Sequence, residues 1–531
     1  MPIRRSSSTT PQPAVLPTPQ QIVSVAPDGT KYPLPTPESL AAQMAEIKRR
    51  AADCPVVVVQ GLGFVGSAVA AVLADATDAN GQPRWFVIGV DLVSPSSWWK
   101  IARLNEGQSP IAAPDPEFDR LVRQAVLERG NLCATPLEEA YEMAEVIVVD
   151  VQLDVIDRLV QSPSDIQLDL QGFEAAIRAV GRRMRADALV LVETTVPVGA
   201  CEQVVLPLLQ AERAKRGIEA PIRLAHGYER VMPGPNYVNS IRRFWRTYSG
   251  IDRESAALAR AFLSTFIDTA NYPLYELERP CASELAKLLE NSYRALNIAF
   301  IHEWTLLAEK IGVNLFEVIE SIRVRKGTHD NIRYPGFGVG GYCLTKDSLL
   351  AQWAALNLFD TDVTLHMTLE ALRVNYRMPR HTFDLLREMV GGRLDGLRVL
   401  VCGVSYLPGL ADTRSSPTEL LYEDLVRVGA AVILHDPQVA RWPEHPELPV
   451  LSDLRSGLAD AEAVVFAIPH SEYRGLSAEW LLSAAPRLRA VVDAQNILTD
   501  ETAAALHQTG RQVAGVGKGH WRRTGYHMPK S

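Results

Sequence analysis

The sequence predicts an α/β protein: two Rossmann-like doubly wound domains joined by a central helical domain with one long spanning helix. Three observations predict it. Two stretches share the order strand, glycine turn, amphipathic helix, second strand ending in Asp: "PVVVVQGLGFVGSAVAAVLA" leading to "WFVIGVD", and "LRVLVCGVSYLPGLADTRSSPTELLYEDLVRVG" leading to "AAVILHDP". Between them, "CASELAKLLENSYRALNIAFIHEWTLLAEKIGV" keeps Leu285, Leu288, Leu289, Leu296, Ile298, Ala299, Leu306 and Leu307 near helical spacing for about eight turns. A helix that long reads either as a bridge between lobes that supplies an oligomer interface, or as a plain core helix.

Taken in order, residues 1–37 hold nine prolines and many serines and threonines, too little apolar surface to offset the entropy of ordering, so a mobile arm is expected there. A helix follows through "ESLAAQMAEIKRRAA", starting near Thr36 or Ser39 and ending before Pro55. The expected domains are 38–265 for the first doubly wound unit, 266–385 for the helical unit and 386–531 for the second doubly wound unit. The chain's 531 residues, 47% hydrophobic and 22% charged, suffice for roughly three domains with sizeable cores.

Composition also excludes. Six cysteines occur without a CxxC pair, and no histidines cluster, so neither a disulfide framework nor a metal site is expected. A net charge of −8 argues against nucleic acid as main partner, and the basic stretch "GKGHWRRTGYH" reads as a solvated end. Neither a membrane-spanning run nor a signal peptide is seen, so a cytoplasmic location is expected.

The first glycine turn is GxGxxG at Gly61, Gly63 and Gly66. Its first glycine permits the tight turn, its second lets backbone approach a pyrophosphate, and its third lets helix pack on strand. The following strand ends in Asp91, where a carboxylate can accept from ribose hydroxyls. No Arg or Lys follows before Lys100, which favours NAD over NADP.

Cys343 lies in "PGFGVGGYCLTKD". It reads either as a small buried hydrophobe after a glycine turn or as a nucleophile that traps an aldehyde so that its hydride can leave. The second reading requires a thiolate, and a helix start behind the cysteine together with Lys346 is expected to lower the thiol pKa. Asp347 falls one helical turn further on. Lys287 and Asn291 share an i, i+4 relation on the long helix, so an ammonium and an amide can aim at one oxygen. The alternative is a solvated Lys beside a surface Asn.

From about residue 55 to about 515 the sequence resembles the UDP-glucose/GDP-mannose dehydrogenase family, the NAD-dependent nucleotide-sugar 6-dehydrogenases. The resemblance is carried by "GLGFVG", "ETTVPVGA", "YERVMPG", "SELAKLLENSYRALNIAF", and "PGFGVGGYCLTKD" with "GVSYLPGLADTRSSP". It implies a homodimer built on the long helix, and a four-electron oxidation of a sugar CH2OH to a carboxylate with two NAD. It further implies Cys343 as nucleophile, Lys287 and Asn291 as oxyanion holders, Asp347 and Glu229 as water or proton handlers, and Thr195 as part of the site. Cofactor contacts are expected from Gly61, Gly63, Phe64, Val65, Gly66, Asp91 and Arg414, and substrate contacts from Arg230, Gly338, Gly340, Gly341 and Lys346. Arg414 reads alternatively as a surface ion pair with Asp412.

The chain departs from the family pattern at several points. Leu407 replaces the usual lysine, Gln152–Leu153 the usual Thr-Pro, Tyr228 a proline, and Tyr342 a histidine or serine. The usual arginine before the cysteine loop has no clear counterpart among Arg325, Lys326, His329 and Arg333. The "ERVMPG" form resembles the branch that acts on UDP-N-acetylhexosamines. Two other functions stay open: a two-electron hydroxyacid-type dehydrogenase, which needs no thiol, and a catalytically silent binder of nucleotide sugar and NAD.

Overall fold

The computed structural model describes residues 22–111, 113–232 and 234–522. The first sheet has eight strands in the spatial order Leu132–Thr135, Phe86–Val90, Val56–Gln60, Val146–Val149, Leu189–Val192, Arg223–His226, Thr247–Gly250 and Tyr275–Glu276. Its first six strands run parallel, and Thr247–Gly250 turns antiparallel to Arg223–His226. The β-branched run Val56–Val59 is buried throughout, as a sheet covered on both faces demands. Val57 and Val59 face one core layer, with the helix Phe64–Asp75; Val56 and Val58 face the other.

The second sheet repeats this plan with six parallel strands: Val450–Leu451, Ala431–His435, Arg398–Cys402, Ala463–Phe466, Ala490–Asp493 and Gln512–Gly515. In both sheets the first strand lies centrally and the order reverses beside it, which opens a crevice at the carboxyl ends of the strands.

The long helix runs from Pro280 to Ile311, 32 residues, and ends where Gly312 turns left-handed at φ 72°. Its inner face packs on the helix His366–Met389: His302 Nδ1 lies 2.9 Å from Asn375 Oδ1, and Asn375 Nδ2 donates to Ala295 O at 3.1 Å. Its far end joins the second sheet's domain, where Glu309 accepts from Gly517 N–H at 2.8 Å and meets His381 Nε2 at 2.8 Å.

The structure departs from expectation in four places. Residues 1–21 of the expected arm lie outside the described residues, but its remainder is built into the fold. Val23–Val25 and Lys31–Pro33 form a hairpin, Tyr32 is buried, and Ser24 Oγ donates to Pro95 O at 2.8 Å. One strand with two valines, its paired strand and one buried aromatic supply the packing that the proline count obscured. The helix behind it, Pro37–Ala51, is capped by Thr36, whose side chain accepts from Ser39 N–H.

The first sheet continues to Glu276, past the expected boundary at 265, and the helix His366–Met389 runs across the one expected at 385. The basic stretch is not a solvated end over its described part: Trp521 is 1% exposed and its Nε1 donates to Asp500 Oδ1 at 2.8 Å. The rest of that stretch, from residue 523, lies outside the described residues. No helix among the described residues is long and apolar enough to cross a membrane.

Candidate active site

The glycine turn is built as its sequence requires. Gly61 sits at φ 96°, and a side chain there would overlap the carbonyl of Asp150, while one at Gly66 would overlap the carbonyl of Gly61. A Cβ at Gly63 would meet nothing within 4 Å, which leaves an open approach to the first turn of the helix Phe64–Asp75. Asp91 closes the far side, accepting from Leu62 N–H at 3.1 Å and Leu92 N–H at 2.7 Å. These residues fit a dinucleotide, with phosphates over the helix start and a ribose at Asp91. One premise changes: Lys100, remote in sequence, returns on the helix Trp98–Asn105 to place Nζ 3.2 Å from Asp91 Oδ2.

The cysteine loop is held between the two doubly wound domains. Gly341 N–H donates to Arg414 O at 3.2 Å, and Tyr342 Oη donates to Leu153 O at 2.5 Å. Gly341 has φ 85°, and a Cβ there would strike the Tyr406 ring at 2.7 Å. Gly338 and Gly340 press equally closely on Asn375 and on Pro417, so all three glycines let the loop lie against its neighbours. Arg414 holds Asp412 through a bidentate pair, its closest distance being 2.6 Å. The same guanidinium lies 5.8 Å from the Phe64 ring and 5.7 Å from the Tyr342 ring, so it joins the glycine turn to the cysteine loop.

The Cys343 side chain reaches solvent, so it is not an inner hydrophobe, although protein encloses it on most sides. The structure brings it together with the pair from the long helix. Lys287 Nζ donates to Glu229 O at 2.8 Å and lies 3.8 Å from Glu229 Oε1; Asn291 Nδ2 donates to Asp347 Oδ2 at 2.6 Å. Burial opposes the charge on Lys287, but the carboxylates led by Glu229 and including Asp347 outweigh it and hold the ammonium charged. Thr195 is partly exposed on the turn after Leu189–Val192, and its neighbour Thr194 donates to Val149 O at 3.1 Å.

Two expectations are corrected. The thiol is not activated in the free protein: burial, then Asp347, pushes Cys343 up to about 11, against the pull of Lys287 and Lys346. The helix begins only at Asp347, four residues on, so its amino end does not point at the sulfur, and the protein packed around the loop disfavours an anion. Lys346, expected to reach substrate, is 1% exposed, with Nζ 2.8 Å from Asp347 Oδ1 and 4.6 Å from the Tyr342 ring centre. Arg230 is likewise engaged, 2.9 Å from Glu290 Oε2.

The sequence reading named Glu229 but missed two carboxylates that follow the neighbouring strands at the same crevice, Asp150 and Glu193, with Arg246 Nη1 2.8 Å from Glu193 Oε1. The signal was available, since "VIVVD" and "LVLVE" are apolar strands that are both followed by an acid. It also missed that two of the departures meet, Tyr342 with Leu153. Tyr228, a third departure, puts its ring 5.4 Å from Lys287 Nζ and 4.8 Å from the Arg230 guanidinium.

A dinucleotide fold with a thiol, an ammonium and an amide around one cleft defines an NAD-dependent nucleotide-sugar dehydrogenase. The chain belongs to the UDP-glucose/GDP-mannose dehydrogenase family: residues 56–260 match its NAD binding domain, 281–377 its central domain and 400–500 its UDP binding domain. It is 28% identical over 468 residues to the UDP-N-acetyl-D-mannosamine dehydrogenase of Pyrococcus horikoshii, covering 87% of this chain and 99% of that one. It is 29% identical over 461 residues to the NDP-N-acetyl-D-galactosaminuronic acid dehydrogenase of Ralstonia nicotianae, covering 85% and 98%. Among solved structures, the NDP-N-acetyl-D-galactosaminuronic acid dehydrogenase of Methanosarcina mazei Go1 superposes with a TM-score of 0.74 at 26% identity, covering 91% of this chain and 99% of that one.

Proposed function

We propose that this enzyme oxidises the C6 hydroxymethyl of a UDP-N-acetylhexosamine to the uronic acid in two successive two-electron steps through Cys343. The observation that carries this reading is the approach of Lys287, Asn291 and Asp347, from two helices, to the loop of one exposed cysteine. The glycine turn and Asp91 would hold NAD, which when bound would supply a hydride acceptor for each oxidation, two equivalents per sugar.

In the first oxidation the C6 alcohol loses its hydroxyl proton to a site base, Asp347 or Glu229, and a hydride from C6, leaving an aldehyde. The Cys343 sulfur gives up its proton and bonds to that carbon, and the carbonyl oxygen, steadied by Lys287 and Asn291, takes up a proton to give a thiohemiacetal. Loss of the second hydride and of the hydroxyl proton leaves a thioester. Water, oriented by Asp347, attacks the thioester carbonyl; the C–S bond breaks, the thiol takes back a proton, and the carboxylate departs. Thr195 borders the path, and Arg414 spans cofactor turn and cysteine loop.

The N-acetylhexosamine choice rests on the "ERVMPG" segment and on the substrates in the relatives' names. The test is to count NADH formed per sugar nucleotide with UDP-N-acetylmannosamine, UDP-N-acetylglucosamine, UDP-glucose and GDP-mannose. The expected yield approaches two with an N-acetylhexosamine and the intact enzyme, whereas Cys343→Ala stops short of the acid. A yield of one in the intact enzyme selects the two-electron alternative.

A homodimer through the long helix suits the row of exposed Leu285, Leu289, Tyr293, Phe300, Trp304 and Leu307. Leu289→Glu should shift the sedimenting species toward a monomer. A cytoplasmic site suits six cysteines that are all free.

A further inference from the structure

Asp150 has no part in the chemistry above, yet it occupies a demanding position. It directly follows the strand Val146–Val149, beside the central strand, so it stands where the strand order reverses. Its N–H donates to Gln60 O at 2.8 Å, and its carbonyl lies against Gly61 so closely that no side chain fits between. Its own Cβ lies 3.2 Å from where a Cβ on Gly66 would stand. The carboxyl therefore sits against the turn that receives a pyrophosphate. The residue is partly exposed, but its Oδ2 is buried without a hydrogen-bond partner.

The charges around it make this arrangement uncomfortable for an anion. Glu193 and Glu229 follow the next two strands, and Glu193 Oε2 is also buried without a hydrogen-bond partner. Arg246 is the cation that acts on Asp150, but its guanidinium bonds Glu193 Oε1, and Arg414, over the Phe64 ring, is paired with Asp412. Lys287, on the long helix, is spent on Glu229, and Tyr237 Oη donates to Phe64 O. The glycine turn and the first turn of its helix add no charged side chain. Burial and the two neighbouring carboxylates raise the Asp150 pKa well above its ordinary value, against Arg246. A bound pyrophosphate adds further negative charge and raises it again.

We propose that Asp150 is a cofactor-binding residue that works as a neutral carboxylic acid, hydrogen-bonding toward the phosphate side of the dinucleotide, and so makes NAD binding proton-linked. The proposal rests on the dinucleotide site above. The sign follows from linkage: the acid's pKa is higher with phosphates bound than without, so binding takes up a proton between the two values, and affinity falls as pH rises through that window.

The test is calorimetric titration of the full chain with NAD, NADH and ADP-ribose from pH 6 to 9, in buffers of different ionisation heat. All three ligands carry the pyrophosphate, so all three should weaken together, by about tenfold per pH unit inside the window, with uptake of about one proton. Asp150→Asn, which donates but does not titrate, should flatten the profile; Asp150→Ser is the second variant should the first not fold. The proposal is overturned if wild-type affinity is flat with pH, if the slope survives in either variant, or if NAD tightens while NADH weakens. That last outcome would put the carboxylate beside the nicotinamide charge. Absence of NAD binding at every pH would instead sink the dinucleotide site itself.

Discussion

Asn291 Nδ2 donates to Asp347 Oδ2 at 2.6 Å, tying the middle of the long helix to the first residue of the helix that follows the cysteine. Ser292 and Ser348, one residue on in each helix, meet at 3.0 Å and double the tie. Each hydrogen bond to a charged group is worth about 1.5–3 kcal/mol. Removing the amide leaves a buried carboxylate oxygen short of a donor and takes away one of the two groups proposed to hold the oxyanion. Asn291→Ala should cut kcat about 100- to 1,000-fold, as loss of one oxyanion donor does, with a smaller change in KM. Equal kcat in variant and parent would remove the amide from the mechanism.

The thiol should be slow until pH is high. With Cys343 pushed up to about 11, its alkylation by iodoacetamide in the free protein should climb about tenfold per pH unit from 7 to 10. Asp347→Asn removes the nearby negative charge that raises the pKa, so the curve should move to lower pH; Lys287→Met should move it higher. Peptide mass spectrometry at Cys343 gives the rates. Rapid alkylation at pH 7 that does not vary with pH would contradict the electrostatics described here.

Tyr342 and Leu153 both break the family pattern and meet through a hydrogen bond of 2.5 Å. The Tyr342 ring also lies beside Lys346 and Arg414, at 4.6 and 5.7 Å. Tyr342→Phe keeps the ring and loses the bond, which should cost about 1 kcal/mol of stability and lower kcat several-fold with little change in KM. Tyr342→Ala, which also loses the ring, should cost more in both. Chemical denaturation and steady-state rates check these outcomes.

Glu284 lies one turn before Leu288 and accepts from Gly199 N–H at 2.5 Å and Cys201 N–H at 2.8 Å. Burial raises its pKa to about 7 although those two bonds lower it. Because the folded value exceeds the unfolded one, its contribution to stability is full below about pH 4.3 and is lost as pH rises toward 7. Glu284→Gln should therefore lose less stability than the parent between pH 5 and 8, as urea midpoints at each pH will show. Parallel profiles in the two proteins would mean that Glu284 does not titrate in this range.

The local chemistry of this chain was legible in its sequence. The two strand, turn, helix and strand units, the GxGxxG turn and the long helix follow from periodicity and glycine placement, which act over a few residues. Lys287 and Asn291 share a helix face for the same reason, so their pairing needed no fold to be seen.

What tertiary structure decided depends on groups far apart in sequence. Tyr342 reaches Leu153, Lys287 reaches Glu229, and Asn291 reaches Asp347. Most of all, the charge state of Cys343 was fixed by the protein packed around it. A nearby lysine suggests a thiolate when read along the chain, but desolvation and a neighbouring carboxylate outweigh it in space. The same physics isolates Asp150 among acids that only folding brings to one crevice.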